Sequence, residues 1–242
     1  MKKYLLILFV LALTFSHLAH AKQFEIVKEH SKVSFDVDYM VMTKVQGQFK
    51  GYYGYFDLND KEDQLSNVKV NIIGDTVDTS DAKRDFHLKA QEFFFTAEYP
   101  EMMFTAKGPV TITSGQKFKL AGELTMRGIT KPVTLDGVYK GKMKDPWNKD
   151  NYFFTLTGEL NRKDFGMVWN KQMDAGGVLV GEIVKLDIVI QSQVLGEKTP
   201  FSTHMIPNTK GIQERNDLKK GKIKKLSTST DPNDHKKEEP KK

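Results

Sequence analysis

The 242-residue chain contains no cysteine. That excludes disulfides, thiol catalysis, iron–sulfur clusters, cysteine-based zinc sites and a cysteine-linked lipid anchor. A body of about 175 residues needs no such cross-links, because a domain of that size buries about 70% of its unfolded surface. Long apolar runs are missing too. The longest, residues 4–15 (YLLILFVLALTF), falls short of the roughly 20 residues that a bilayer-spanning helix takes. No GxSxG, HExxH, Walker-type loop or GxGxxG occurs, so the common nucleophile, metalloprotease and nucleotide signatures are absent. Histidine is sparse: beyond residue 21 only His30, His87, His204 and His235 remain, none at metal-ligand spacing from another. The expectation is therefore no metal, no cofactor and no catalytic residue.

What is present begins with a processing signal. Lys2 and Lys3 precede the short apolar run, and Ala19-His20-Ala21 places small residues at the two positions a signal peptidase reads. Residues 1–21 are read as a signal peptide cleaved after Ala21, which makes the mature chain an exported, soluble, periplasmic protein. Charge divides the rest in two. Residues 22–196 hold 23 basic and 24 acidic residues, whereas residues 197–242 hold 12 and 7. The domain is thus residues 22–196, and residues 197–242 form a basic tail with no aromatic after Phe201. Such a tail cannot bury enough surface to offset its chain entropy and is expected to be disordered. Its lysines suit weak contact with an anionic membrane surface. Nucleic acid is not an expected partner of an exported protein with a near-neutral body. The oligomeric state is open, a homodimer included.

Between Val33 and Ile190 the dominant pattern is period-2 alternation. Val33, Phe35, Val37 and Tyr39 alternate with polar residues, as do Val68, Val70 and Ile72. Phe118, Leu120, Gly122, Leu124 and Met126 do the same, then Val133, Leu135, Gly137 and Tyr139. Tyr152, Phe154, Leu156, Gly158 and Leu160 follow, and Val184, Leu186, Ile188 and Ile190 close the series. Each reads as a strand with one apolar and one wet face. With weaker runs at 45–56, 101–107 and 109–114 this gives about eight or nine strands and an all-β antiparallel barrel or sandwich. Glycines on the apolar faces relieve curvature or leave interior room, and an eight-stranded barrel is about the size that holds one small ligand.

The exception is TSDAKRDFHLKAQEFFF (79–95). It has no β-branched residue from 80 to 90 and follows four good N-cap residues, which predicts a short helix at about 80–92. Ala82, Phe86 and Ala90 would form its apolar stripe. Arg84, Asp85 and His87, with Asp78, either hold this helix to the barrel through hydrogen bonds or touch a ligand head group. A catalytic role has the least support, since nucleophile and orienting acid are not apparent. Phe93, Phe94 and Phe95 are core residues or the lining of an entrance.

Several stretches together resemble the YceI family: HSKVSF (30–35), VQGQF (45–49), VDTSDAKRDFHL (77–88), FFFTAEYPEMMF (93–104), GELTMRGITKPVTL (122–135), RKDFGMVWN (162–170) and GGVLVGEIVKLDI (176–188). Their order and spacing agree over about residues 31 to 190. The resemblance implies a lipocalin-like antiparallel β-barrel of about eight strands with the short helix across one end. It implies a periplasmic carrier whose interior holds a long apolar molecule, a polyisoprenoid or isoprenoid quinone, and no enzyme. One departure is Tyr39, where family members often carry histidine. The apolar pocket expected on the alternating faces comprises Phe35, Val37, Tyr39, Phe49, Phe104, Leu124, Met126, Leu135, Phe154 and Leu156, with Phe94 at the entrance and Arg84, Asp85 and His87 on a polar rim. Two alternatives stay open. One is a structural or stress-protective envelope protein with a filled core; the other is a lipid-modifying enzyme using Tyr39, Arg162 and Asp164.

Overall fold

The computed structural model describes residues 21–59, 61–173 and 178–196. The expected signal peptide (apart from Ala21) and basic tail lie outside the described residues. The alternating stretches become one antiparallel sheet with an unbroken circuit of hydrogen bonds. In chain order its strands are β1 (Lys22–Ile26), β2 (Lys32–Tyr39), β3 (Thr43–Phe49), β4 (Tyr52–Leu58), β5 (Gln64–Ile73), β6 (Val77–Asp78), β7 (Glu101–Ala106), β8 (Val110–Thr111), β9 (Lys117–Met126), β10 (Ile129–Lys144), β11 (Asp150–Asn161) and β12 (Val180–Val194). The one α-helix among the described residues, α1 (Ala82–Leu88), lies between β6 and β7.

Three pairs of these strands are single staves with a break. β1 and β2 both lie along β12, with Ile26 opposite Ser192 and Lys32 opposite Val189. β3 and β4 run together along that same stave, and β5 and β6 along them in turn. The breaks at residues 27–31, 50–51 and 74–76 are stitched to one another: Ile73 N–H donates to the Gly51 carbonyl (2.8 Å), Gly51 N–H to Thr76 Oγ1 (2.8 Å), and the Tyr52 hydroxyl to the Ser31 carbonyl (2.5 Å). They form a bend line across three neighbouring staves, which lets a twisted sheet curl into a closed wall. The circuit is then an eight-stranded antiparallel barrel.

The apolar faces point inward. Phe118, Leu120, Leu124 and Met126 of β9 are buried, as are Val33 and Phe35 of β2. Outward positions carry charge, including the ion pairs Lys119–Asp136 and Lys185–Glu159. The inward glycines do not leave empty interior. A Cβ on Gly122 would lie 2.5 Å from both the Phe104 ring and the Thr105 carbonyl oxygen, and one on Gly137 would lie 2.4 Å from the Phe118 ring. Glycine here lets a phenylalanine from the next strand lie flat on the backbone.

The two ends of the barrel differ. The end where the chain enters at Lys22 is plugged by aromatic rings: Phe24 packs on Phe56 (5.4 Å between centroids) and edge-on to Tyr152 (4.7 Å), while Phe154 meets Phe56 (5.6 Å) and Tyr139 (4.9 Å). Tyr152 donates its hydroxyl to Glu62 Oε1 (2.6 Å), and Lys142 Nζ lies 2.7 Å from Glu62 Oε2. Burial pushes the Glu62 carboxyl up. The hydrogen bonds from Lys142 and Tyr152 outweigh it, so the group ends below its ordinary value. A depressed carboxyl contributes stability above its unfolded pKa of about 4.3 and loses it as pH falls through the folded value. Urea melts should therefore show Glu62→Gln losing less stability than the unmodified protein on acidification from neutrality to below about pH 4. An identical pH slope in the two proteins would remove Glu62 from the acid limb.

Candidate functional site

The opposite end carries the two longest connections, residues 79–100 and 162–179, and α1 lies across the opening. Asp81 caps the helix, accepting from Lys83 N–H (2.9 Å) and Arg84 N–H (3.1 Å). Thr79, buried just before it, is the anchor. Its N–H (2.8 Å) and hydroxyl (2.6 Å) both donate to Asp85 Oδ1, while Arg84 donates Nε to the Thr79 hydroxyl and Nη2 to its carbonyl, each at 2.8 Å. Asp78 takes no part in this. It pairs with Lys50 (2.6 Å), whose ammonium holds the Asp78 carboxyl below the usual range.

The helix is shorter than the expected 80–92 and turned differently. Phe86 is 80% exposed, and Lys83, Arg84, His87 and Leu88 face the barrel instead of an Ala82–Phe86–Ala90 stripe. The reason is leverage. In a helix of two turns the polar anchors on Thr79 fix its rotation, and the small apolar stripe cannot compete. The three phenylalanines that follow diverge. Phe93 is buried against His87 (4.9 Å) and Trp169 (5.4 Å), Phe94 packs edge-on to Phe49 (5.3 Å), and Phe95, at φ 50°, turns to Tyr99 (5.8 Å). Arg127 donates to the carbonyls of Gln91 and Phe93 and fixes the loop from below.

Beneath α1 the barrel encloses a cavity of about 510 Å³, lined from all eight staves. Its floor is the upper surface of the aromatic plug, Phe56, Phe118 and Phe154. One end is filled by rings and the interior above it is hollow, so packing alone does not account for the interior. All eleven residues expected at an apolar pocket border this cavity: Phe35, Val37, Tyr39, Phe49, Phe94, Phe104, Leu124, Met126, Leu135, Phe154 and Leu156. On the expected rim, Arg84 and His87 border it and Asp85 does not, because Thr79 holds its carboxylate. The charged residues on the wall (Asp38, Lys83, Arg84 and Arg162) all belong to the helix-bearing end, as does His87. The result is an apolar chamber with a charged collar. His87 Nε2 lies 2.7 Å from Glu92 Oε2 and its ring is edge-on to Trp169 at 5.1 Å.

The residues considered for catalysis do not assemble. Tyr39 borders the cavity, but Asp164 is exposed and is not on the wall. Arg162 is 3% exposed and spends its guanidinium on carbonyls: Nε on Gly181 (2.8 Å), Nη1 on Met167 (2.5 Å) and Trp169 (2.8 Å), Nη2 on Val180 (3.3 Å). Burial lowers its pKa from the ordinary arginine value, partly offset by Glu182. No cluster of three His, Asp or Glu side chains suited to a metal occurs among the described residues.

The YceI-like domain family matches residues 24–192. The chain belongs to the YceI family. Protein YceI of Escherichia coli O157:H7 is 36% identical over 170 residues, covering 69% of this chain and 88% of that relative. The crystal structure of the Campylobacter jejuni YceI protein aligns with a TM-score of 0.56 at 27% identity, covering 67% of this chain and 90% of that one. A polyisoprenoid binding domain from Saccharophagus degradans, implicated in plant cell wall breakdown, shares the fold with a TM-score of 0.50 at 12% identity, covering 72% and 99%.

Within this YceI barrel, much of the wall was not named from the sequence, including Leu65, Val68, Val70 and Ile72 of β5. Val184, Leu186 and Ile188 of β12 border the cavity, and their alternation had already put them on one face; only their membership of the pocket was missing. Trp169 and Met167 also border it. They come from a connection with no periodicity, placed there by Arg162, and no local pattern announces that.

Proposed function

We propose that this YceI protein is a periplasmic carrier that holds the apolar chain of a polyisoprenoid or isoprenoid quinone inside the barrel. The observation that carries this is the cavity itself: about 510 Å³ with apolar walls and every charged wall residue at one end. A volume of that order is typical of a small-molecule site. The polarity gradient matches a molecule with one long apolar part and one polar end. Burying each CH₂ is worth about 0.8 kcal/mol relative to water, so a prenyl chain does not diffuse freely through an aqueous compartment. Pocket and bilayer are similarly apolar, and exchange between them is close to balanced, as a carrier requires. The fold shared with the polyisoprenoid binding domain of S. degradans supports the same ligand class, and the signal-peptide pattern of residues 1–21 supports the compartment. The reading as binding rather than catalysis is supported by Arg162, whose guanidinium is taken up by four backbone carbonyls, and by Asp164, which lies off the cavity wall.

Native mass spectrometry of the mature protein, purified without detergent and then extracted with organic solvent, tests the reading. A discrete adduct that extracts as an isoprenoid or quinone is the expected result. A bare-chain mass, unchanged after prenyl lipids are added, would sink the carrier reading.

A further inference from the structure

The helix-bearing end carries a second feature that the cavity does not use. Four of the five most exposed large apolar side chains among the described residues stand there: Met42 (91%), Phe86 (80%), Val41 (78%) and Val168 (67%). They come from three separate connections: the β2–β3 turn, α1, and the β11–β12 segment. Single exposed apolar residues are ordinary on protein surfaces, whereas a cluster at one end marks an interaction site. None of the four borders the cavity. Phe86 lies on the face of α1 turned away from it.

The β2–β3 turn makes the point sharply. Met40 and Val41 both adopt left-handed backbone, at φ 52° and 63°. Tight turns of this kind favour Asn and Gly, and a β-branched residue there is an outlier. Neither backbone preference nor packing explains Met-Val-Met at this position, so what the turn contributes is an apolar surface. Charge points to the occupant. The connections and strand ends here (residues 40–44, 79–100, 127–131 and 162–173) hold nine Lys or Arg and five Asp or Glu, while the domain as a whole is near neutral. Lys44, Lys83 and Lys171 make no ion pair with a carboxylate among the described residues. Exposed apolar side chains at an end that also carries an excess of cations fit the interface of an anionic bilayer, where the former enter the acyl boundary and the latter meet the head groups.

We propose that the helix-bearing end is a membrane-docking surface that seats the mouth of the cavity against an anionic phospholipid bilayer. Docked this way, a chain leaving the bilayer enters the barrel without crossing water. The surface stands on its own residues, whatever the cavity holds, so the two readings fail separately.

The test is flotation of delipidated mature protein with vesicles of phosphatidylethanolamine and phosphatidylglycerol at low salt. Wild type should float, and Met42→Ser with Phe86→Ser should cut the vesicle partition coefficient by roughly tenfold or more. Met143→Ser, an exposed residue at the plugged end (69%), should leave it unchanged. Met40→Asn with Val41→Gly separates docking from folding, because it relaxes the turn: its melting temperature should rise while vesicle binding falls. Wild type that does not float, or a double serine variant that floats equally well, overturns the proposal. So does a wild-type dimer in sedimentation that the serine changes dissolve, which would make a second copy of the chain the occupant. Both serine sites are exposed and off the cavity wall, and the basic tail is present in every variant.

Discussion

Leu186→Trp is expected to leave the barrel folded and to lower its retention of a prenyl lipid by several hundredfold. Leu186 sits in the middle of β12, opposite Phe35 on one neighbouring strand and Gly158 on the other, and it borders the cavity while only half-buried. Bulk added there enters open volume rather than a packed core, so the usual overpacking cost of about 1–3 kcal/mol applies only in part. The effect on the ligand is larger. An indole in the middle of the chamber displaces about one isoprene unit. Five carbons at about 0.8 kcal/mol each is about 4 kcal/mol, and each 1.4 kcal/mol is tenfold in affinity. Val189→Trp is the control, since Val189 lies on the outer face of the same strand. Native mass spectrometry with a thermal melt reads both quantities. A folded Leu186→Trp protein that keeps the wild-type adduct would place the ligand somewhere other than this chamber.

That Leu186 shares an apolar face with Val184 and Ile188 was legible in the sequence, that this face is the inner one was not, and the reason shows where such legibility ends. Alternation is a backbone property: in a strand, residues i and i+2 share a face whatever the rest of the chain does. The apolar face of every long strand could therefore be read residue by residue, but that this face turns inward is set by closure of the barrel, which no local pattern carries. β1 was not legible. KQFEI (22–26) is short and carries a single fully buried side chain, Phe24. It is held by pairing with β4 and the last residues of β12, which are long-range contacts without a local signature. The weak run at 109–114 shrank to the two residues of β8 for the converse reason, since little pairs with it.

The helix separates the two cases more finely. Its start was readable because an N-cap is a local device, and Asp81 was among the candidates. Its rotation was not readable. Thr79, Arg84 and Asp85 settle it by hydrogen bonds whose strength depends on Thr79 being buried under the barrel rim. Burial of a threonine is a tertiary fact. The apolar stripe that looked decisive in the sequence put Phe86 in the wrong place. The exposed side chain is now the most informative residue on the helix.

Arg162→Ala is expected to cost about 3–5 kcal/mol, a large share of the roughly 5–15 kcal/mol that holds a domain of this kind together. Arg162 sits at the start of the β11–β12 connection and donates to carbonyls of Met167, Trp169, Val180 and Gly181, so one guanidinium ties both ends of that segment. Removing it strands up to four acceptors at about 1–3 kcal/mol each, less whatever entering water recovers. Lysine should rescue only part of the loss, because an ammonium on a flexible stem cannot reproduce the planar fork that reaches carbonyls on two sides. Urea denaturation gives the magnitude. Hydrogen exchange shows its location, with protection lost first around residues 178–182, where the amides of Val180 and its neighbours would open. A ligand role predicts the opposite pattern. If Arg162→Ala kept the wild-type urea midpoint and exchange while losing the lipid adduct, the guanidinium would be serving a head group in the cavity. Four carbonyls within hydrogen-bonding distance of three nitrogens already commit it elsewhere. The clamp holds Trp169 against His87 and so shapes the mouth through which any ligand passes.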